Sequence, residues 1–305
     1  MNNMFCDLET GVCGDASENA VQTINLKQPQ KKIKLYYVTD PICSHCWALE
    51  PVLRKFKAQY GQYVEFHTLM GGLLESWEGF ADVKNGIGSP SDVAGHWREV
   101  GEHSRMPIDG SLWYDNPVQS SFPPSRVYKV IQKKDENLAG TFLRRAREAV
   151  FAFNQNIGED SVLIRIVNEL GLDGKEIVNE AAKESSQQLL DQDFVLASSM
   201  GVRGFPTIIM VNEENHGVKI VGARPLENYV KGLEQVLSSG EKLKEQSLPG
   251  LTELLEEEAL LFSKEIEVMY DLAQDQVAAY VQDELSSNFY KQKEILGESY
   301  MVKII

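Results

Sequence analysis

The chain has 305 residues, enough for two compact domains or for one domain with a large insertion, and its 43% apolar and 25% charged content is ordinary for a soluble globular protein. A net charge of −15 argues against nucleic acid or an anionic membrane as the main partner, because phosphate binding needs clustered Lys and Arg. No stretch approaches the length of a transmembrane helix, and residues 1–14 hold acids and glycines where a secretion signal has a basic start and an apolar run, so a cytosolic protein is expected. Four cysteines in such a chain point to redox or metal chemistry, not to a disulfide framework.

Residues 1–30 read as a flexible tail: Gly11, Gly14, Asp15 and Ser17 precede a polar run ending at Lys32. From Ile33 the pattern changes. Ile33, Leu35, Tyr36, Tyr37 and Val38 make a buried strand that Asp40-Pro41 closes as a turn. A helix follows, with Ala48, Leu49, Val52, Leu53 and Phe56 at helical spacing, and Gly61 ends it. Residues 64–69 form a second strand that runs into Gly71-Gly72. A helical insertion is expected over residues 73–197, with single helices at 142–153, 162–170 and 177–196. Strands return at 207–211 and 218–221, and a helix at 226–237 closes a domain spanning residues 31–240. The order is strand, helix, strand, helical insert, strand, strand, helix: an α/β thioredoxin order with a helical domain spliced into its middle. Residues 241–250 are polar and read as a linker. Residues 251–305 give helix, strand, helix, helix and hairpin, the order of a winged-helix-like module.

Cys43-Ser44-His45-Cys46 carries the chemistry. A thiol at a helix N-terminus faces unpaired N–H groups and the positive end of the helix dipole, which favours its thiolate. Two cysteines three apart on a helical turn also come within reach of a disulfide. Cys43, at the exposed end, is the expected nucleophile and Cys46, one turn in, the resolving thiol. His45, when protonated, would stabilise the thiolate further. The alternatives for this tetrapeptide are half of a zinc site or two unpaired cysteines. Zinc wants four ligands, and Cys6 and Cys13 stand at an unconventional spacing, so no metal is expected. Pro51 sits mid-helix; Gly204-Phe205-Pro206-Thr207 precedes a strand and suits a cis X-Pro turn; Gly71 and Gly72 leave bare backbone that a bound peptide could approach.

Together, Cys43-Ser44-His45-Cys46, Pro51 and Phe205-Pro206-Thr207 resemble the thioredoxin superfamily. The helical insert makes the chain similar to its DsbA branch, and Asp40-Pro41-Ile42-Cys43 with Met70-Gly71-Gly72-Leu73-Leu74 resemble the FrnE-type dithiol–disulfide isomerases. The resemblance implies that Cys43 attacks, that Cys46 resolves, and that the backbone at Phe205 and Pro206 pairs with bound peptide, with no cofactor. Many relatives place a buried acid six residues before the nucleophile; this chain has Tyr37 there, with Asp40 the nearest acid. Ser263-Lys264-Glu265-Ile266 and Tyr270-Asp271-Leu272 resemble the matching part of the SpxH (YjbH) family, DsbA-like adaptors that deliver the transcription factor Spx to the ClpXP protease.

The remaining polar residues carry plainer readings. Cys6 and Cys13 read as incidental tail cysteines, and His96 and His103, two turns apart on a helix, as surface or core histidines. Arg144, Arg145 and Arg147 read as a solvated helix face. Trp47 suits a substrate groove or a core. From Glu241 onward fourteen acids stand against six bases, which opposes DNA binding by the C-terminal module. Two functions follow: a thiol–disulfide oxidoreductase or isomerase acting on protein dithiols, slightly favoured by the intact motif, and, as the alternative, an adaptor for a regulated protein partner.

Overall fold

The computed structural model of the chain describes residues 32–237 and 242–304, together with the backbone of two short strands before them. Those strands, β1 (Cys6–Asp7) and β2 (Val12–Cys13), pair antiparallel with Cys6 opposite Cys13, within a unit of their own, Met1–Lys31. The tail expected over residues 1–30 otherwise lies outside the described residues. Lys32–Ile305 is the second unit.

Its centre is β3 (Ile33–Thr39), with β4 (Val64–Met70) parallel on one side and β5 (Thr207–Val211) antiparallel on the other; β6 (Gly217–Val221) pairs outside β5, giving the order β4-β3-β5-β6. Side chains alternate across a strand, so a central strand needs apolar residues on both faces. Leu35 and Tyr37 face the core under α1 (Ser44–Tyr60) and α9 (Leu226–Leu237), with Leu53, Phe56, Met210 and Leu233. Tyr36 and Val38 face the opposite way, toward Leu69, Ala197 and Phe205.

Between β4 and β5 the chain builds a helical block: α2 (Pro90–Ser104), α3 (Leu112–Asp115), α4 (Phe122–Gln132), α5 (Glu136–Arg147), α6 (Asp160–Glu169), α7 (Gly174–Ala181) and α8 (Glu184–Ser199). Its core gathers Trp97, Trp113, Phe142 and Phe151. Two sequence expectations need correction here. The helix over 142–153 is α5, which starts earlier at an Asp135 cap and passes after Arg147 into one π-helical turn, Glu148–Ala152. The single helix over 177–196 is two, because Lys183 takes an extended conformation between them and the Ser186 hydroxyl donates to the Glu180 carbonyl, closing the end of α7.

Residues 242–250 are not a free linker. The Tyr63 hydroxyl accepts from the Lys244 N–H at 2.9 Å, the Tyr60 hydroxyl donates to Glu245 at 2.8 Å, and the Gln246 N–H donates to the Gln59 carbonyl at 2.9 Å. Beyond this strap come α10 (Leu251–Glu258), β7 (Leu260–Phe262), α11 (Ser263–Tyr270), α12 (Val277–Glu284), β8 (Tyr290–Ile295) and β9 (Glu298–Lys303), with a three-stranded sheet in the order β7-β9-β8. Strand β7 and the middle of β9 are apolar on both faces, whereas β8 is largely polar and exposed. Leu261 and Met301, paired in register, turn into the core of these C-terminal elements, whereas Phe262 and Tyr300, also paired, turn into the core of the helical block.

Candidate functional site

The site begins where β3 ends. Asp40 closes the strand into a tight turn: its Oδ1 accepts the Ile42 N–H at 3.1 Å, and its Oδ2 accepts the Leu73 N–H at 2.8 Å and the Ser121 hydroxyl at 2.9 Å. The carboxyl is fully buried, and burial lifts its pKa to about 6 against those three hydrogen bonds. Asp40 is therefore a turn pin that ties β3 to the Gly71-Gly72 segment and to α4. Cys43 then caps α1, its Sγ accepting the Cys46 N–H at 3.2 Å. Both thiols are free and buried, Cys43 at 5% exposure and Cys46 at 0%.

The two thiols have different surroundings. Burial, then the neighbouring Cys46, pushes the Cys43 thiol well above its ordinary value. Burial also opposes an anion on Cys46, but there the Cys43 hydrogen bond, the Arg147 charge, the Thr39 hydroxyl and the Asp40 N–H outweigh it and hold the thiol below its ordinary value. His45 is exposed on the first turn of α1. Partial burial and the nearby His96 and His103 lower its pKa, and its ring lies 5.4 Å from that of His96. That direction disfavours the cationic imidazole which the sequence reading set beside Cys43. Tyr37, in the position where relatives carry an acid, is held neutral by burial.

The Phe205–Pro206 peptide is cis. Thr207 pairs with Val38, so Pro206 stands next to Thr39 at the same end of the sheet as the cysteines. Gly71 and Gly72 lie against aromatic rings of the chain itself. A Cβ on Gly71 would lie 2.1 Å from the Phe205 ring, and one on Gly72, whose φ is +70°, would lie 2.5 Å from the Phe194 ring. The bare backbone makes room for the chain's own aromatic rings.

Arg144 and Arg147, read from sequence as solvated, are buried. Arg147 donates to Thr39 Oγ1, to the Asp40 carbonyl at 3.2 Å and to Glu50. Arg144 reaches Glu148 at 2.7 Å and grips Glu265 of α11 through two hydrogen bonds of 2.8 and 2.7 Å, with its guanidinium 4.8 Å from the centre of the Trp47 ring. Trp47 meets Phe262 edge-on at 5.7 Å and donates to the Pro107 carbonyl at 3.0 Å, which settles it as a core residue. Arg54 adds pairs with Glu258 and Glu265, and Arg105 with Glu267 and Glu298. The signal for burial was present: Leu143 and Phe151 lie four residues either side of Arg147, on one helix face. Among the described residues no group of three or more His, Cys, Asp or Glu is placed to hold a metal ion, and no helix is long and apolar enough to cross a membrane.

Comparison with known proteins decides the kinship. A thioredoxin family model matches residues 36–231. The SpxH ClpXP adapter protein of Halalkalibacterium halodurans is 31% identical over 90% of this chain and 89% of its own length. The chain belongs to the SpxH family. A second member, the ClpXP adapter protein SpxH of Bacillus subtilis, is 28% identical over 82% of each chain. Among solved structures, a crystal structure from Nitrosomonas europaea assigned to the protein disulfide isomerases superposes with a TM-score of 0.59 at 18% identity, covering 69% of this chain and all of its own. The cytosolic disulfide reductase DsbM from Pseudomonas aeruginosa gives 0.50 at 21% identity, covering 61% and 88%. These identities speak for the fold alone: thioredoxin-like, with DsbA-like neighbours. The match to the H. halodurans SpxH leaves out fewer residues than follow Gly250, so it runs into the C-terminal elements.

Proposed function

We propose that this protein is a cytosolic adaptor that holds a regulated protein partner for the ClpXP protease, the transcription factor Spx being the partner to test first. The reading is carried by kinship with adapter proteins over most of the chain, the first match running into the C-terminal elements. The site agrees with it. Phe205 and Phe194 fill the space over Gly71 and Gly72 where an oxidoreductase would lay its peptide, and both thiols are buried. The C-terminal elements, in the element order of a winged helix, are clamped to α1 and α5 and carry an acidic excess, so the surface they present suits a protein and not a nucleic acid.

Thiol–disulfide exchange with protein dithiols is the second reading, favoured by the free Cys43–Cys46 pair next to cis-Pro206. A reconstituted degradation assay separates the two. The full chain added to purified ClpXP and Spx is expected to speed the loss of Spx, while leaving insulin disulfides unreduced in a parallel assay. No acceleration, together with robust insulin reduction, would overturn the adaptor reading.

A further inference from the structure

The burial of the thiol pair is completed from far along the chain, whichever of the two functions holds. We propose that Phe262, brought in by β7, is a positioning residue for the Cys43–Cys46 turn: it wedges Trp47 in place, so that the C-terminal elements set how often the two sulfurs open to solvent.

The coupling starts in the backbone. Cys46 and Trp47 both donate their N–H to the Cys43 carbonyl, at 3.0 and 3.1 Å, and the Cys46 N–H also lies 3.2 Å from Cys43 Sγ. The Trp47 indole therefore hangs from the same turn that holds both sulfurs. Both cysteines are buried, so a reagent reaches them only when that turn shifts, and a shift of the turn carries the indole with it.

Four contacts hold the indole. Its Nε1 donates to the Pro107 carbonyl at 3.0 Å, Phe151 stacks on it at 5.7 Å, Phe262 meets it edge-on at 5.7 Å, and the Arg144 guanidinium sits 4.8 Å from the ring centre. Two of the four depend on the C-terminal elements: Phe262 directly, and Arg144 through its two hydrogen bonds to Glu265. Glu265 joins them, because it also accepts the Phe262 N–H at 2.9 Å and pairs with Arg54 of α1 at 3.0 Å. Phe262 is fully buried and is backed by the Tyr300 ring at 5.8 Å across the β7–β9 pair. In a close-packed interior, a ring removed from around an indole leaves a void that its neighbours refill only in part. By linkage the coupling runs both ways: loosening the C-terminal elements exposes the thiols, and modifying the thiols loosens the C-terminal elements.

The test is alkylation of the full chain by iodoacetamide, each sulfur displacing one iodide, with the peptide that carries both cysteines weighed against time. Phe262→Ala is expected to speed modification about tenfold or more in native buffer, and Phe262→Leu by less. Glu265→Gln, which weakens the Arg144 grip, is expected to speed it several-fold. Ile177→Ala opens a void at a buried residue of α7 that is not among the four contacts on the indole, and leaves the rate unchanged. The added rate in Phe262→Ala depends only weakly on urea below the unfolding transition, because local opening exposes little surface. Should Phe262→Ala fail to fold, Phe262→Leu and Glu265→Gln still decide. Equal acceleration in Ile177→Ala and Phe262→Leu, a urea slope as steep as that of global unfolding, or wild-type rates in both Phe262→Leu and Glu265→Gln contradict the wedge.

Discussion

Two arginines one helical turn apart on α5 serve two different regions of the molecule. Arg147 turns to the head of α1, where it meets Thr39, the Asp40 carbonyl and Glu50; Arg144 turns to the flank of α1, where it meets Trp47 and grips Glu265 of the C-terminal elements. Both are buried, and both cost desolvation that only well-placed partners offset. The head of α1 keeps the groups for thiol chemistry, with Phe205 and Phe194 packed against Gly71 and Gly72 nearby. The flank spends its charges on holding a second layer of structure in place, with Arg54 and Arg105 adding further pairs to that seam. One helix therefore braces both regions. The difference teaches that a redox-type motif is not sufficient to read function: what covers the motif, and what its neighbours are tied to, weighs as much.

The comparison breaks first at the seam. Arg144→Ala removes the two-bond partner of Glu265, leaving that buried carboxylate to Arg54 and Glu148 to Arg145, and is expected to cost roughly 3 kcal/mol of unfolding free energy, read by urea denaturation. A loss under about 1 kcal/mol, the size of a surface pair, would show that the seam is not a buried clamp. At the head of α1, Asp40 gives a pH signature. Its folded pKa of about 6 lies above the unfolded value of 3.8, so the folded state binds more protons between the two. Its contribution is then fully present below pH 3.8 and lost as pH rises through about 6, a fall of roughly 3 kcal/mol. Asp40→Asn is expected to flatten that segment of the stability–pH curve; an unchanged slope would show that another group titrates there.

The filled groove predicts a smaller effect. Gly71→Ala should cost roughly 1–3 kcal/mol by overpacking against the Phe205 ring, and nothing further in a Phe205→Ala background. Equal costs in both backgrounds would show that the ring is not what the glycine accommodates. Smallest of all is the outer control. Arg165–Glu169, an exposed i,i+4 pair at 2.7 Å, should lose only about 0.3–0.5 kcal/mol in Arg165→Ala, which sets the scale against which the buried seam stands out.

Legibility followed the range of the signal. The strand at Ile33–Thr39, the helix behind Cys43 and the turn at Phe205-Pro206 rest on local patterns, a period of two, a period of 3.6 and a proline, and the sequence displays all three. The break between α7 and α8 has no Gly or Pro to mark it; Ala182-Lys183 continues the apolar period on both sides. What occupies Gly71 and Gly72 comes from residues more than a hundred positions away, which no local window reaches. Arg144 and Arg147 were masked by the default that charge faces water, although the apolar residues Leu143 and Phe151 share their helix face. Glu265 stands in the segment Ser263-Lys264-Glu265-Ile266, but its partner Arg144 lies across the fold.

The central claim is that partner delivery rests on shape and surface, while the thiols are dispensable to it. The direct measurement is the rate at which ClpXP degrades Spx in the presence of the Cys43→Ser, Cys46→Ser double variant of the full chain. Serine is close in size to cysteine and cannot form a disulfide, so the fold is kept and exchange is lost. The account predicts the wild-type rate; a fall to the rate without adaptor would contradict it.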